Sequence, residues 1–417
     1  MEHQRIDYHI KKEVEGSYFT LPFQVPEGFE QVTISYEYKG VGVVDLGLIN
    51  GHGQFLGWSG SARDSILVSP HSATPGYCMV PLIPGEWQIL VGAYKIPESG
   101  LDVQYTLQFT PQCSRWLVGD LHVHSDASDG QHDISTLAKR AKKKGLDFLA
   151  VANHNNYNEN FHLPLVPGIT LIPAVEWTHY KGHMNFYGVA APFEHFVANT
   201  YEEMKALVTA AKEKGALISV CHPEEKHCGF VWEISEEEKG LLFHLVEVWN
   251  GPMRPTNVQG IAWWHNLLLA GHKIPLIGGS DYHRDFHPAF LGHPVTHVYA
   301  GGAAAEDILA AMSQGHSYVT NSIRGVELSL LADQVMMGDT VSWYDGLTFT
   351  ITVRKGSFGL RAKLVTSEEV INLPSLQEKV KAKSSWKFAY VVVVRRILGI
   401  ERIVAISNPI YIVTDTV

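Results

Sequence analysis

The chain has 417 residues, of which 45% are hydrophobic and 18% are charged, an ordinary composition for a soluble globular protein with roughly two to four domains. Its formal net charge of −10 argues against a nucleic-acid partner, because such binding depends on Lys and Arg side chains that neutralise phosphates. The charge does not exclude a small anion held by a metal ion, since a bound cation outweighs the background field locally.

Residues 1–112 are predicted to form a small domain like a β-sandwich. Short runs rich in Val, Ile, Tyr and Phe, such as VTISYEY and WQILVGAY, alternate with turns rich in Gly, Pro and Asn. This rhythm is typical of antiparallel sheets joined by hairpins. The segment gathers no cluster of titratable residues, so we expect it to have a structural role.

Residues 113–325 show a different pattern, in which apolar strands alternate with helices. Asp133 and Gly145 are expected to begin and end one helix, and Thr200 with Glu203 forms the capping box of another. The apolar strands lie in DFLAVANH, ITLIPAVEW, ALISVCHP, LVEVWNG and IPLIGGSDYH. Continuous apolar strands between helices predict a parallel sheet, either closed or open.

Residues 326–417 return to a β pattern, with runs such as GVELSLLA and LTFTITVRK, and predict a second small all-β domain. The run FAYVVVVRRILGI is interrupted by two arginines and is too short to span a bilayer. The first residues lack the apolar stretch of a secretory signal, and the four cysteines form no CxxC pair. We therefore expect a cytoplasmic protein with reduced thiols and no membrane partner.

Ligand-type side chains gather at the predicted strand ends. Residues i and i+2 of a strand point to the same side, so His122 and His124 in GDLHVHSDASDG aim at one point, and Asp281 and His283 repeat the arrangement. In parallel α/β folds, ligands bind at the carboxyl ends of the strands. We call the complete set the donor cluster: His122, His124, Asp129, His154, Glu176, His183, His222, Asp281 and His283.

The donor cluster as a whole predicts a metal site. A single histidine at a strand end is more often a hydrogen-bonded core residue, and the HxH pair alone is a weak signal. Three acidic groups pressed together would repel one another and their pKa values would rise, whereas metal ions remove that conflict. Carboxylates mixed with imidazoles suit Zn, Mn or Fe.

The motifs GDLHVHSDASDG, GLDFLAVANHN, EWTHYKGHMNFYG, CHP, VEVWNG and GGSDYH resemble the PHP (polymerase and histidinol phosphatase) superfamily. More narrowly, they resemble its branch of CehA/McbA-type metallohydrolases. The resemblance covers residues 113–325 and implies a distorted (β/α)7 barrel, similar to a TIM barrel, flanked here by the two small all-β domains. It also implies two or three metal ions.

The resemblance also implies which residues hold each ion. The first metal would be held by His122, His124, Glu176 and Asp281, and Glu176 would bridge to the second. The second metal would also be held by His183 and His222, and the third by Asp129, His154 and His283. Asn153 stands where relatives often have Asp, and Cys221 stands where many have Asn; we expect an outer supporting role for Asn153 and an inert buried thiol at Cys221.

Metal ions bridged by Glu176 would activate water and stabilise the charge that develops on a phosphate group, so we predict hydrolysis of phosphate mono- or diesters of small molecules. The expected catalytic residues are Glu176, Asp281 and Arg284. Substrate contacts are expected from Arg284, His227, Tyr157 and Asn250, although exposed loop residues at such positions are often merely solvated. Glu247 is expected to point elsewhere in the barrel.

Two other functions stay open at this stage. The same metal site could hydrolyse carbamates or carboxylic esters, which requires an apolar pocket and no phosphate clamp. The chain could also be a non-catalytic binding module stabilised by metal, although structural sites usually need fewer ions. An exonuclease is disfavoured by the acidic charge. The sequence leaves the substrate and the oligomeric state open.

Overall fold

In a computed structural model, residues 2–356 and 358–414 are described, with the backbone alone for Glu236, Glu237 and Leu241. The chain divides into two compact units. The first contains the residues up to Ser114 together with Leu165–Gly168 and Gly301–Ala304. The second contains Arg115–Pro164, Ile169–Ala300 and the chain from Ala305 onward.

The first unit is built from two four-stranded antiparallel sheets, with strand orders β1-β8-β3-β6 and β2-β7-β4-β5. Alternate residues of each strand are buried, and residues from both sheets share one hydrophobic core that includes Ile34, Leu107, Phe23 and Trp87. The strands are β1 Glu2–Ile10, β2 Tyr18–Val25, β3 Phe29–Tyr38, β4 Val43–Ile49, β5 Phe55–Gly60, β6 Ser65–Val68, β7 Gly85–Lys95 and β8 Leu101–Pro111.

The second unit begins with strands that alternate with helices. Its first strands are β9 Arg115–Val123, β10 Phe148–Val151, β11 Thr170–His179, β12 Gly182–Tyr187, β13 Leu217–Val220, β14 Leu245–Asn250, β15 Leu276–Gly279, β16 Val295–Ala300 and β17 Ser317–Thr320. Its helices are α1 Ile134–Lys144, α2 Tyr201–Glu213, α3 Glu236–Leu242, α4 Pro255–Leu269 and α5 Ala305–Ser313. The strands follow the order β15-β14-β13-β12-β11-β10-β9-β16-β17.

The sheet is mixed and not fully parallel. Strands β9, β10 and β11 run parallel to one another, as do β13, β14 and β15, but β12 is antiparallel to both of its neighbours. Strand β16 is also antiparallel to β9. The sequence predicted only parallel strands here, and this part of the prediction is wrong because β11 and β12 form a hairpin.

The predicted closed barrel is not seen among the described strands. Strands β9 and β15 lie at different places along the sheet and are joined by no continuous ladder; an isolated bridge connects Val123 to Tyr282, just beyond β15. The main-chain N–H of His124 donates to the carbonyl of Tyr282 at 2.9 Å. The observed architecture is therefore mixed α/β and rich in strands.

The C-terminal strands belong to the second unit. Strands β26, β25, β22 and β23 extend the sheet beyond β17, and a separate four-stranded sheet has the order β19-β18-β21-β24. The predicted domain boundaries, including that at residue 326, stay predictions. These strands are β18 Glu327–Ala332, β19 Val335–Met336, β20 Thr340–Ser342, β21 Thr348–Arg354, β22 Leu360–Thr366, β23 Val370–Asn372, β24 Gln377–Lys381, β25 Phe388–Ile397, β26 Ile400–Ser407 and β27 Ile410–Val413.

The predicted helix ends are confirmed. The Asp133 carboxylate accepts a hydrogen bond from the N–H of Thr136, and Gly145 ends α1 with a left-handed φ of 95°. Thr200 and Glu203 form the capping box of α2. Among the described residues, no helix has the length and apolar character needed to cross a membrane.

The imidazole of His244, between α3 and β14, predicts a pH dependence of stability. The main-chain N–H of Ile218 donates to its Nδ1 at 3.0 Å, and burial, together with the charge of Lys212, lowers its pKa to about 4. Between pH 6.5 and pH 4 the unfolded chain therefore binds a proton that the folded chain does not, so folding stability falls as pH falls through this window.

In His244→Asn, the side-chain oxygen can still accept from Ile218 but cannot titrate. We expect this variant of the metal-free protein to lose about 1 kcal/mol less stability than the parent between pH 7 and pH 5, measured by urea unfolding. Equal losses in the two proteins would contradict this assignment.

Candidate metal centre

The donor cluster is assembled from successive strand ends of the second unit. His122 lies in β9 and His124 directly follows it, while Glu176 lies in β11 and His183 in β12. The others come from the segments that follow strands: Asp129 and His154 after β9 and β10, His222 after β13, and Asp281 with His283 after β15. Strand alternation turns His122 and His124 to the same side, as expected.

Glu176 lies at the middle of the donor cluster. Its Oε1 is 2.9 Å from His183 Nδ1 and 3.3 Å from His222 Nε2. The same oxygen is 3.4 Å from His122 Nε2. Its Oε2 is 2.8 Å from His154 Nδ1 and 3.5 Å from His124 Nε2. One carboxylate therefore reaches most of the imidazoles.

The remaining acids complete the cluster on two sides. Asp281 Oδ1 lies 3.1 Å from His124 Nε2 and 3.6 Å from His122 Nε2. Asp129 Oδ1 lies 3.2 Å from His283 Nε2 and 3.7 Å from His154 Nε2. The structure thus brings all the predicted donor residues together, while their roles as ligands stay predictions.

Buried donor atoms without well-aligned hydrogen bonds show that the cluster fits metal ions. The side chains of His122, His124 and Glu176 are at most 1% exposed. Among the described residues, His122 Nε2, both ring nitrogens of His124 and Glu176 Oε2 make no well-aligned hydrogen bond, although other donor atoms of the cluster lie within 4 Å of each of them. Such atoms are costly to bury unless something binds them. Imidazole nitrogens and carboxylate oxygens are the donors that Zn, Mn and Fe accept.

The donor atoms also fall into groups of the size that one ion needs. One group contains His124, Asp129, His154 and His283, and another contains His122, His124 and Asp281; the atoms within each group lie within 4.8 Å of one another. The group around Asp129 contains the three residues expected to hold the third metal, with His124 added. The group around Asp281 contains the residues expected to hold the first metal, without Glu176.

The charges of the cluster favour anionic carboxylates. Burial by itself would raise the pKa of Glu176, but the charge of His122 and hydrogen bonds from its histidine neighbours hold that pKa well below its ordinary value. The pKa of Asp281 is likewise lowered against the effect of burial, chiefly by the charge of His122. Burial lowers the pKa of His124 to about 4, which keeps its imidazole in the neutral form that binds metals.

Glu247, in β14, holds His122 from the side opposite the cluster. Its Oε1 and Oε2 lie 3.0 Å and 3.1 Å from His122 Nδ1, and its side chain is 1% exposed. The expectation that Glu247 points elsewhere is therefore wrong. The signal was present in the sequence, because a carboxylate inside the apolar run LVEVW must find a buried partner.

Asn153 supports the loop that carries Asp129. Its Oδ1 accepts hydrogen bonds from the N–H of Ser125 at 2.8 Å and from the Ser128 hydroxyl at 2.9 Å. Its Nδ2 donates to Glu159 Oε2 at 2.8 Å. An aspartate would lack this donor, so Asn at this position favours the contact with Glu159.

The predicted substrate residues differ in how close they lie to the donor cluster. Asn250 is buried beside the cluster, and its Nδ2 donates to Asp281 Oδ2 at 3.3 Å and to Glu247 Oε2 at 3.2 Å. Tyr157 packs edge-on against Phe161 and Phe193. Arg284 and His227 are exposed, and in the described parts of the chain neither shows a contact with the donor cluster.

Sequence reasoning also missed Arg254 and Cys228. Arg254 directly precedes α4. Its Nη2 lies 3.3 Å from both Asn250 Oδ1 and Glu225 Oε2, which places a guanidinium group next to the side chain that contacts Asp281. Cys228 Sγ lies 3.6 Å from His222 Nδ1. The spacing of the motifs gave no signal for either residue.

Two residues of the cluster have a backbone conformation that side chains rarely adopt. The φ angles of His222 and Asp281 are 29° and 50°, in the left-handed region. Such conformations cost free energy and concentrate at functional sites, where the surrounding structure enforces them. The left-handed conformations of His222 and Asp281 turn the chain sharply just after β13 and β15 end.

Residues 120–222 match the family model described as PHP domain. This part of the chain is similar to PHP domains. It contains most of the donor cluster, from His122 to His222, and together with that cluster it supports a metal-dependent hydrolase. The narrower CehA/McbA branch stays a prediction.

The chain is also similar to several solved structures. A two-domain protein from Bacteroides vulgatus ATCC 8482, containing a predicted PHP-like metal-dependent phosphoesterase, is 19% identical, with 70% of this chain and 95% of that chain covered at a TM-score of 0.41. A structure from Bifidobacterium adolescentis ATCC 15703, named for a metal-dependent phosphoesterase, is 17% identical. The match covers 42% of this chain and 90% of that chain at a TM-score of 0.29. An amidohydrolase from Chromobacterium violaceum is 14% identical. The match covers 42% of this chain and 93% of that chain at a TM-score of 0.28. A search of the curated proteins finds no match.

Proposed function

We propose that the chain hydrolyses phosphate esters of small molecules at a centre of two or three metal ions. The observation that carries this proposal is the convergence of the donor cluster on Glu176, with buried imidazole and carboxylate atoms that make no well-aligned hydrogen bond in the described chain. A cluster held together by its own hydrogen bonds alone would not leave such atoms.

The proposed ion sites follow the sets that the sequence predicted. His122, His124, Glu176 and Asp281 would hold the first ion, Glu176 with His183 and His222 the second, and Asp129, His154 and His283 the third. The donor types favour Zn, Mn or Fe. When bound, such ions lower the pKa of water and polarise a phosphoryl oxygen.

The residues of the chain would prepare the site for that chemistry. Glu247 holds the His122 ring with Nε2 toward the cluster, which fixes the nitrogen that is free to bind. Asp281 is less buried than Glu176, with 27% of its side chain exposed, so its carboxylate can accept a proton from a water molecule at the site. Asn250 holds Asp281 Oδ2 in place.

The substrate phosphate would be bound at the open side of the cluster. Arg254 is partly exposed and lies beside Asn250, so its guanidinium is available to an anionic oxygen near Asp281. Arg284 and His227 lie on loops that directly follow Asp281–His283 and His222, and we assign them to substrate contact as well. This arrangement favours a small phosphorylated substrate.

We further propose that the strands around the cluster form a distorted barrel. The bridge between Val123 and Tyr282, and the bond from the N–H of Ser280 to Asp120 Oδ1 at 2.9 Å, support this proposal because they connect β9 to the segment after β15. Ligands then lie at the carboxyl ends of the strands, as in other α/β barrels.

The proposed function is tested by metal analysis followed by a substrate panel. Protein purified without added metal is expected to contain two or three equivalents of Zn, Mn or Fe. It should cleave a phosphomonoester or phosphodiester and lose this activity with a chelator. His124→Ala should lose both metal and turnover, while the exposed His195→Ala should retain both.

Other outcomes of the panel would favour the alternatives. Cleavage of aryl carbamates or carboxylic esters with no phosphate ester cleaved would favour the carbamate or ester hydrolase. Full metal content with no hydrolysis on any substrate would favour the non-catalytic binding module. A folded protein that binds no metal would overturn the proposal.

A further inference from the structure

Three imidazoles of the donor cluster, those of His122, His222 and His283, have a partner other than Glu176 at Nδ1. His122 Nδ1 faces the Glu247 carboxylate, and His283 Nδ1 lies 2.9 Å from the carbonyl oxygen of Asp281. In each case an oxygen can accept the Nδ1–H, so the ring presents Nε2 to the cluster. His222 has the same arrangement with a sulfur atom, since Cys228 Sγ lies 3.6 Å from its Nδ1.

The two nitrogens of His222 face different partners. Its Nε2 is 3.3 Å from Glu176 Oε1, on the side of the cluster, while its Nδ1 faces Cys228. The sulfur therefore lies behind the ring and not beside Glu176. We propose that Cys228 is a positioning residue, whose sulfur accepts the Nδ1–H of His222 and leaves the Nε2 lone pair directed at the second metal position.

The loop from His222 to Gly229 fixes the sulfur behind the ring. The N–H of Glu225 donates to the carbonyl of His222 at 3.0 Å, and the N–H of Gly229 donates to the carbonyl of Glu225 at 2.8 Å. A Cβ at Gly229 would lie 2.4 Å from that same carbonyl oxygen, so this fold of the loop requires glycine. Thr256 also donates to the Glu225 carboxylate at 3.0 Å.

The contact between Cys228 and His222 affects which nitrogen of the imidazole carries the proton. A neutral imidazole carries its proton on either nitrogen, and binding of a metal at Nε2 requires the proton on Nδ1. An acceptor at Nδ1 stabilises that tautomer and orients the ring before the metal arrives. Sulfur is a weaker acceptor than the carboxylate at His122, so the preference for the Nδ1–H tautomer should be smaller at His222 than at His122.

The competing role for Cys228 is that of a direct ligand. Its sulfur lies within 4.8 Å of ligand atoms of His183 and His222, which is compatible with a thiolate bound to the metal. The two roles differ in whether sulfur contacts the ion. Cobalt(II) distinguishes them, because a thiolate ligand gives a near-ultraviolet charge-transfer band and a sulfur atom behind the imidazole does not.

The experiment titrates the full-length metal-free protein with cobalt(II) and follows its visible and near-ultraviolet absorption. In Cys228→Ala we expect one cobalt equivalent to bind about 10- to 100-fold more weakly and its visible band to shift. Cys228→Ser retains an acceptor and should bind more tightly than Cys228→Ala. Cys78→Ala, at a half-buried cysteine of the first unit, should match the parent protein. No charge-transfer band from Cys228 is expected in any of them.

This inference rests on the proposed metal centre but not on the reaction. Unchanged cobalt affinity in both Cys228 variants would overturn it, and so would a charge-transfer band that disappears in Cys228→Ala, since that band would identify Cys228 as a ligand. A parent protein that binds no cobalt would overturn the metal centre itself, whereas cobalt binding without hydrolysis would overturn the proposed reaction alone. Nitrogen-15 chemical shifts of His222 in the metal-free protein, moving from the Nδ1–H tautomer toward a mixture in Cys228→Ala, provide a readout that loss of packing would not give.

Discussion

Glu176→Gln should remove at least one bound metal ion and lower kcat/KM by ~10⁴-fold or more. Both oxygens of this carboxylate lie among imidazole nitrogens, with His183 at 2.9 Å from Oε1 and His154 at 2.8 Å from Oε2. Glutamine has nearly the same volume but carries no charge, and its amide nitrogen cannot bind a metal. The loss should therefore appear in metal content and turnover together, measured by elemental analysis and by the hydrolysis of a phosphate ester.

The same substitution on α2 provides the control. Glu202 is exposed in the first turn of that helix, and Glu202→Gln should keep the metal content and kcat/KM of the parent protein. Thermal unfolding of the metal-free proteins shows whether Glu176→Gln is folded. A folded Glu176→Gln protein with full metal content and full activity would show that Glu176 is not at the centre of the site.

Part of the donor cluster was predictable from local rules. Strand alternation turns His122 and His124 to the same side, and His154 and His222 follow the ends of apolar strands. Alternation was also expected to pair Asp281 with His283, but both residues lie beyond the end of β15 and Asp281 has a φ of 50°, so their convergence does not follow from that rule. Cys228 follows no such rule. Cys228 reaches His222 only through the folded loop that precedes β14, and the contact depends on backbone geometry that spacing does not encode.

The direction of β12 was also present in the sequence but was not used. Strands β11 and β12 are joined by Tyr180 and Lys181 alone, and a connection of two residues can link only antiparallel strands. The sequence interpretation took the apolar strands as evidence for a parallel sheet and did not treat GHMNFYG as a strand of its own. Apolar periodicity identifies buried strands, whereas the length of the connection determines their relative direction.

Glu247→Ala should weaken metal binding by about 10- to 100-fold and destabilise the metal-free protein by about 3 kcal/mol. The carboxylate is 1% exposed, lies within 3.1 Å of His122 Nδ1 through both oxygens, and accepts from Asn250 Nδ2 at 3.2 Å. Its removal leaves His122 Nδ1 buried without its acceptor, leaves Asn250 Nδ2 with Asp281 Oδ2 alone, and leaves the His122 ring free to turn. Isothermal titration with Zn²⁺ and urea unfolding measure the two effects separately.

Glu247→Gln separates the orientation of the ring from the charge of its partner. Its amide oxygen can still accept the Nδ1–H of His122, so the ring should keep its orientation, but the neutral amide no longer strengthens the imidazole as a ligand. We expect its zinc affinity to lie between those of Glu247→Ala and the parent protein, with Glu202→Ala unchanged. Zinc affinity equal to that of the parent in both Glu247 variants would mean that His122 needs no outer partner. Because the His122 side chain is 0% exposed, that result would also remove this ring from the proposed metal centre.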